Sequence, residues 1–296
     1  MITTVDEYLQ ELRHKLRGCD RALVQDALSD AEEHLRDAVS ILIAENSELS
    51  SQEAVKKAME EFGQPVEVAA EYKKMEDQFR ITLTAVKSAL PEKRNYLSKF
   101  FGVINDTRTW GAVLYMLISG ITGIIYGTWI MSLLPLSLTM LIFIIGLPLA
   151  GLFLLSVRGL ALLEGRLVEA LLGTRMPRRP LFLESDKGWW SKFRSLVKAG
   201  ITWKAMAYLL LHMPLGLLYF TLIITLIGTS LSFILSPILE WVLGIPIEIH
   251  GPGRFTPVWL LPFMPVAGAV LLFLTLHLSR FIGKIHGKYA KLMLVR

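Results

Sequence analysis

Two histidines, His212 and His277, stand inside otherwise uncharged apolar stretches of this 296-residue chain. An imidazole placed there can pass a proton, ligate a metal or receive a ligand. The plainer reading is that each bonds a backbone carbonyl or a nearby hydroxyl. That reading is favoured because neither stretch contains a carboxylate to complete a proton relay or a metal site. A second group, Trp241, Glu248, His250 and Arg254, lies in a segment rich in Pro and Gly, with Glu240 beside it. Its acids and histidine suit a cation or an external ligand, but their spacing fits no zinc pattern. The ligand or signal candidates are therefore His212, His277, Trp241, Glu248, His250 and Arg254. Glu164, Arg166 and Glu169 read as a solvated helical face.

The chemistry that is missing is equally informative. There is no P-loop, Gly-rich dinucleotide turn, His-Glu-x-x-His, Gly-x-Ser-x-Gly or kinase ATP-binding box. Glu32-Glu33-His34 lacks the second histidine that zinc would need, and the single cysteine, Cys19, makes no disulfide or cysteine cluster. The expectation is a chain without catalysis, cofactor or metal.

The elements that position these residues divide by charge. Residues 1–80 hold 10 Lys+Arg and 18 Asp+Glu, a net of −8, and the remaining 216 hold 21 and 8, a net of +13. Overall, 53% of residues are hydrophobic, 19% are charged and the mean hydropathy is +0.47. A soluble domain carries about 25% charged residues, so the chain is not an ordinary cytosolic protein. The net charge of +5 averages over two unlike regions and does not indicate direct nucleic-acid binding. Charges at Asp6, Glu7, Glu11 and Arg13 interrupt any secretory signal.

Uncharged apolar runs cover Gly111–Leu134, Leu136–Val157, Ala205–Leu239 and Val258–Ser279. About 20 apolar residues cross the hydrocarbon layer as a helix, which predicts four transmembrane helices, the first turn falling at Pro135. The 35-residue third run is expected to leave the membrane near Gly228 and continue along the interface. Lys and Arg gather in 158–204 and after Ser279, which predicts a cell-membrane protein with both termini cytoplasmic.

An internal repeat organises this region. Thr109-Trp110, Ala112, Tyr115, Leu117, Gly123, Tyr126 and Thr128 recur 93 residues later as Thr202-Trp203, Ala205, Tyr208, Leu210, Gly216, Tyr219 and Thr221. Over 95–138 against 188–231, 15 of 44 positions are identical. The return helices align through Pro148-x-Ala150-Gly151 and Pro265-x-Ala267-Gly268 at an offset of 117, which implies a 24-residue insertion. Two hairpins of equal topology predict parallel repeats, 95–173 and 188–292, about a pseudo-twofold axis along the membrane normal. Ser119, Gly123 and Gly127, with Gly216 in the second copy, form a small-residue stripe for close helix packing, with a homodimer face as the alternative. Tyr96, Phe100, Trp110, Trp189, Trp190, Phe193 and Trp203, beside basic residues, suit a lipid interface.

The acidic head shows apolar residues at helical spacing over Val5–Leu16, Arg21–Ala44, Gln52–Phe62 and Val66–Phe79, with a cap at Ser50 or Ser51. Its core is small for independent stability. The division expected is a cytoplasmic helical domain over 1–80, a linker over 81–94 and a membrane domain over 95–296. The fold class is all-α: a polytopic membrane protein of four transmembrane helices in two parallel hairpin repeats, with a small N-terminal helical domain.

Tyr8-Leu9-x-Glu11-Leu12, Asp30-Ala-Glu-Glu33-His34-Leu35 and Phe62-Gly63-x-Pro65-x-x-Val68-Ala69 resemble the HAAS signalling domain, also described as DUF1700, with Gln64 where Asp is more usual. Arg108-Thr-Trp110…Tyr115 and Thr202-Trp203…Tyr208…Pro214-Leu-Gly216 resemble the four-helix membrane sensor domain found in some bacterial histidine kinases. These resemblances imply a membrane signal-receiving module whose output passes through residues 1–80 to a separate cytoplasmic partner, a transcription regulator or a kinase. The competing expectation is a membrane protein that handles a lipid or hydrophobic ligand, as a transporter or an accessory subunit.

Overall fold

The computed structural model describes residues 2–46, 49–88, 100–140, 142, 146–177, 189–244 and 259–295. Among them the regular structure is helical: α1 (Val5–Lys15), α2 (Arg21–Glu45), α3 (Ser51–Phe62), α4 (Pro65–Ser88), α5 (Thr107–Met140), α6 (Gly146–Leu172), α7 (Trp189–Lys198), α8 (Gly200–Trp241) and α9 (Met264–Leu294). Two compact units result, one built on α1–α4 with α7, the other on α5, α6, α8 from Thr202, and α9.

In the first unit, each helix starts where the local chemistry stops the chain. Thr4 and Asp20 accept from the backbone N–H groups of Glu7 and Ala22. Ser50 and Glu53 form a reciprocal capping box at α3, so two otherwise orphaned N–H groups are satisfied together. Gly63, at φ +102°, turns the chain out of α3. Tyr8, Leu12, Leu16, Ala27, Ala31, Leu35, Ala54, Ala58 and Ala69 meet in one core. The Tyr8 ring packs edge-on against Phe62, and its hydroxyl donates to the Gly63 carbonyl at 2.7 Å. Burial and the neighbouring Glu67 carboxylate push that phenol up to about 12, so it stays a donor through the physiological range. The Tyr…Phe-Gly-x-Pro pattern is thus a packing device that ties α1 to the α3–α4 turn. Replacing Tyr8 by Phe keeps the ring and removes one buried hydrogen bond. The expected loss is about 1 kcal/mol, read as faster amide exchange in α1 and α3 of the intact protein. Unchanged exchange would separate this hydroxyl from the stability of the head.

α4 runs on to Ser88, through the first part of the segment expected to be a linker.

The second unit contains four helices long and apolar enough to cross a membrane. The turn expected at Pro135 is absent. α5 passes through Pro135 without ending and continues to Met140, and α8 runs unbroken through Pro214, Gly228 and Pro237. Within a long helix, a proline costs one backbone bond, and the other bonds of the helix remain to carry it. At 42 residues, α8 is about 63 Å long, twice the roughly 30 Å hydrocarbon layer.

Burial in α5 and α8 follows the same offset of 93. Thr109/Thr202, Ala112/Ala205, Tyr115/Tyr208, Met116/Leu209, Ser119/His212, Ile130/Ile223 and Ser137/Ser230 are all buried pairs. For α6 and α9 the sequence register of 117 is corrected. The buried positions coincide at 122, where Gly146, Leu154, Val157, Glu164-Gly165 and Val168 match Gly268, Leu276, Ser279, His286-Gly287 and Ala290. The insertion is therefore 29 residues rather than 24. The Pro-x-Ala-Gly match was misleading because helix position is set by which face is buried, and that face moves with any shift that is not a whole turn.

Contacts repeat with the same symmetry. A methyl group on Gly216 would run into the Ser119 carbonyl, and one on Gly123 would lie 2.8 Å from the carbonyl of His212, the residue equivalent to Ser119. Arg158 of α6 bonds the Thr202 hydroxyl at the start of α8 (2.9 Å), while the matching Arg280 of α9 pairs with Asp106 at the start of α5 (3.0 Å). The small-residue stripe is used inside this unit, where glycines let α5 and α8 touch backbone to backbone.

Candidate functional site

Four buried polar side chains lie eight residues from one end of their helices. Tyr115 and Tyr208 sit eight residues after the starts of α5 and α8, and Glu164 and His286 eight residues before the ends of α6 and α9. Antiparallel packing within each hairpin brings them to one level, about 12 Å in from that end of the bundle. By the registers above they are two equivalent pairs, Tyr115 with Tyr208 and Glu164 with His286, so they meet where the two repeats face each other.

The geometry is tight. The Tyr115 hydroxyl donates to Glu164 Oε1 at 2.6 Å and stands 2.6 Å from His286 Nε2. The Tyr208 hydroxyl reaches the same two atoms at 3.4 and 3.0 Å. His212 places its Nε2 at 3.7 Å from Glu164 Oε1 and 3.1 Å from the Thr122 hydroxyl. Tyr219 approaches His286 Nδ1 at 3.4 Å. The rings of Tyr115, Tyr126, Tyr208 and His286 lie around His212 with centroids 5.7–6.4 Å away. Glu164 and His212 are 0% exposed and His286 is 1% exposed.

A carboxylate removed from water is tolerated when it is hydrogen-bonded and paired. Glu164 is hydrogen-bonded at Oε1 by two tyrosine hydroxyls, with the His212 imidazole 3.7 Å away. Its other oxygen, Oε2, is buried without a partner, as are His212 Nδ1 and the Tyr126 hydroxyl. The site thus holds both strong donors and unmet bonding capacity. One donor atom each from Glu164, His212 and His286 fall within 4.8 Å of one another, a grouping able to hold a metal ion.

Of the residues selected from sequence, His212 belongs to this cluster and His277 does not. His277 stacks on Phe100, with ring centroids 5.3 Å apart, and its Nε2 lies 3.3 Å from the Phe100 carbonyl. The histidine that faces His212 is His286. Glu164, expected on a solvated face, is instead at the centre of the site, and it supplies the carboxylate that the apolar stretches lacked. The neighbours Arg166 and Glu169 do pair on the outer face at 3.2 Å. Glu164 differs because it sits seven residues from Val157 and four from Val168, on the inward side. Glu248, His250 and Arg254 lie outside the described residues, and of Trp241 only its place at the end of α8 is described.

Trp110 and Trp203 are half exposed at matching positions, and the Trp110 indole donates to the Ile104 carbonyl at 2.7 Å. Trp190 is exposed and stacks on Phe193. Tyr96 and the side chain of Trp189 lie outside the described residues.

Comparison with known proteins agrees with both units. The HAAS family model matches residues 7–71. No curated protein and no solved structure matches the chain. The model described as Putative sensor matches residues 115–294, which includes all five of Tyr115, Glu164, Tyr208, His212 and His286. A chain matched over more than half its length, with the buried cluster inside the match, belongs to that sensor family, joined here to a HAAS domain.

Proposed function

We propose that this chain is a non-enzymatic membrane sensor whose receiving site is the polar cluster around Glu164, and whose output passes through α1–α4 to a separate cytoplasmic protein. The observation that carries this reading is the cluster itself. Buried polar groups within membrane spans are costly and mark function, and these are contributed by both repeats. A ligand or a change of charge at such a point bears on the packing of four helices at once. HAAS domains serve protein–protein interaction, which supports the assignment of the output. The concentration of Lys and Arg in 158–204 and after Ser279 supports placing both termini in the cytoplasm, and the head with them. The partner is a transcription regulator or a kinase. Its basic surfaces suit the net charge of −8 on residues 1–80.

The test is a pull-down of the intact protein in mild detergent, with co-purifying proteins and lipids identified by mass spectrometry. Capture of a regulator or kinase, lost when residues 1–80 are deleted, is the expected result. A stoichiometric lipid with no protein partner would replace this reading with a lipid-handling one.

A further inference from the structure

We infer that Glu164, His212 and His286 form a binding site for a divalent transition-metal cation of the zinc class, and that this ion is the stimulus the sensor receives. The inference rests on the sensor reading for the word stimulus, and on geometry alone for the ion.

The donor set is two imidazole nitrogens and one carboxylate oxygen, the borderline-soft combination that zinc and its neighbours prefer and that calcium and magnesium do not. The atoms already converge. His212 Nε2 lies 3.7 Å from Glu164 Oε1, and the three donors fall within 4.8 Å of one another. Bonds of about 2.0–2.1 Å in a four-coordinate site set ligand atoms roughly 3.3 Å apart, so closure asks for small side-chain movements. The approach is arranged by three separate helices, α6, α8 and α9, rather than by adjacent residues.

The surrounding groups fit ligation as well. Tyr219 approaches the far nitrogen of the His286 ring, while the Tyr115 and Tyr208 hydroxyls bond Glu164 Oε1 and His286 Nε2 themselves and must turn aside, or join as a ligand, when an ion enters. A partner on the non-ligating ring nitrogen, as Tyr219 is for His286, orients a histidine ligand. The protein leaves Glu164 Oε2 and His212 Nδ1 without partners although both are buried. A cation bound by the carboxylate relieves the first deficit, and it supplies positive charge where a carboxylate is enclosed among phenols. The fourth ligand position falls to a tyrosine hydroxyl or a water.

The consequence for signalling is geometric. Glu164 belongs to the first hairpin and the two histidines to the second, so one ion adds a bond between the repeats, and its loss removes that bond. The junction lies where Gly123 and Gly216 let α5 and α8 touch.

The full-length protein, purified without a polyhistidine tag and stripped with chelator, is titrated with Zn²⁺, and with Co²⁺ as a spectroscopic substitute. One ion per chain is expected, together with visible Co²⁺ bands of a low-coordinate site and a higher thermal midpoint in the presence of Zn²⁺. Glu164→Gln and His286→Gln should each weaken binding at least tenfold, while His277→Gln, packed on Phe100, should leave it unchanged. If a site variant does not fold, the stoichiometry and Co²⁺ spectrum of the wild-type chain still decide the matter. Less than one ion per ten chains, an octahedral aqueous Co²⁺ spectrum, or equal affinity in all three variants would overturn the assignment. Capture of a partner through residues 1–80 without any ion bound would remove the metal and leave the sensor. An ion bound with no partner captured would do the reverse.

Discussion

Glu164→Leu should cost about 2–6 kcal/mol of stability, because two buried tyrosine hydroxyls lose their shared acceptor at about 1–3 kcal/mol each. Leucine fits the volume but leaves the Tyr115 and Tyr208 hydroxyls without their shared acceptor and removes the carboxylate 3.7 Å from His212. All these groups are enclosed, so water cannot replace what is lost. The informative comparison lies five residues on. Glu169 pairs with Arg166 at 3.2 Å on the outer face, where such pairs contribute about 0–1 kcal/mol, so Glu169→Leu should be nearly silent. Denaturation of the two variants in the same micelles measures the difference directly. Equal, small effects would mean that Glu164 is solvated, and the site would have to be abandoned.

Gly216→Leu is the second large effect. The first added carbon would overlap the Ser119 carbonyl, which is backbone and cannot rotate away. The helices must separate at their closest approach, which also displaces Gly123 from the His212 carbonyl. Overpacking of a core costs about 1–3 kcal/mol when side chains can adjust, and here none can, so loss of folded protein is expected. Gly228→Leu, on the same helix with nothing within 4 Å of an added carbon, is the matched control and should stay within about 1 kcal/mol of wild type. Gly127→Leu should fall between them, because there the obstacle is the Met213 side chain rather than backbone. Thermal melts that rank Gly216, Gly127 and Gly228 in any other order would contradict the crossing geometry.

The four spans, the head helices and the parallel repeat were legible because each rests on a pattern that one sequence carries. Those patterns are uncharged length, 3.6-residue periodicity and self-similarity. The continuity of α5 through Pro135 and of α8 past Gly228 was not legible, since helix breakers are judged against a water-exposed helix, and a span has no water to accept the broken bond. Glu164 was hidden by company. Arg166 and Glu169 made its segment look polar all round, although Val157, Glu164 and Val168 share one face. His286 was hidden in the same way by Lys284 and Lys288. The signal that would have exposed both is the alignment of Glu164-Gly165 with His286-Gly287 at an offset of 122, which the stronger local match at 117 concealed. His212 was found because a lone imidazole in an apolar run is conspicuous. That it faces His286 rather than His277 could not be read from sequence, because depth along a helix does not tell which way a side chain points.

Two identical hairpins assembled around a twofold axis would bring every axial residue against its own copy. An acid on the axis would then oppose an acid, and a histidine would oppose a histidine. Joining both hairpins in one polypeptide removes that constraint: Glu164 opposes His286, and Ser119 on one side answers His212 on the other. Covalent fusion thus lets the meeting point of two like halves carry unlike groups, an arrangement closed to a homodimer of single hairpins.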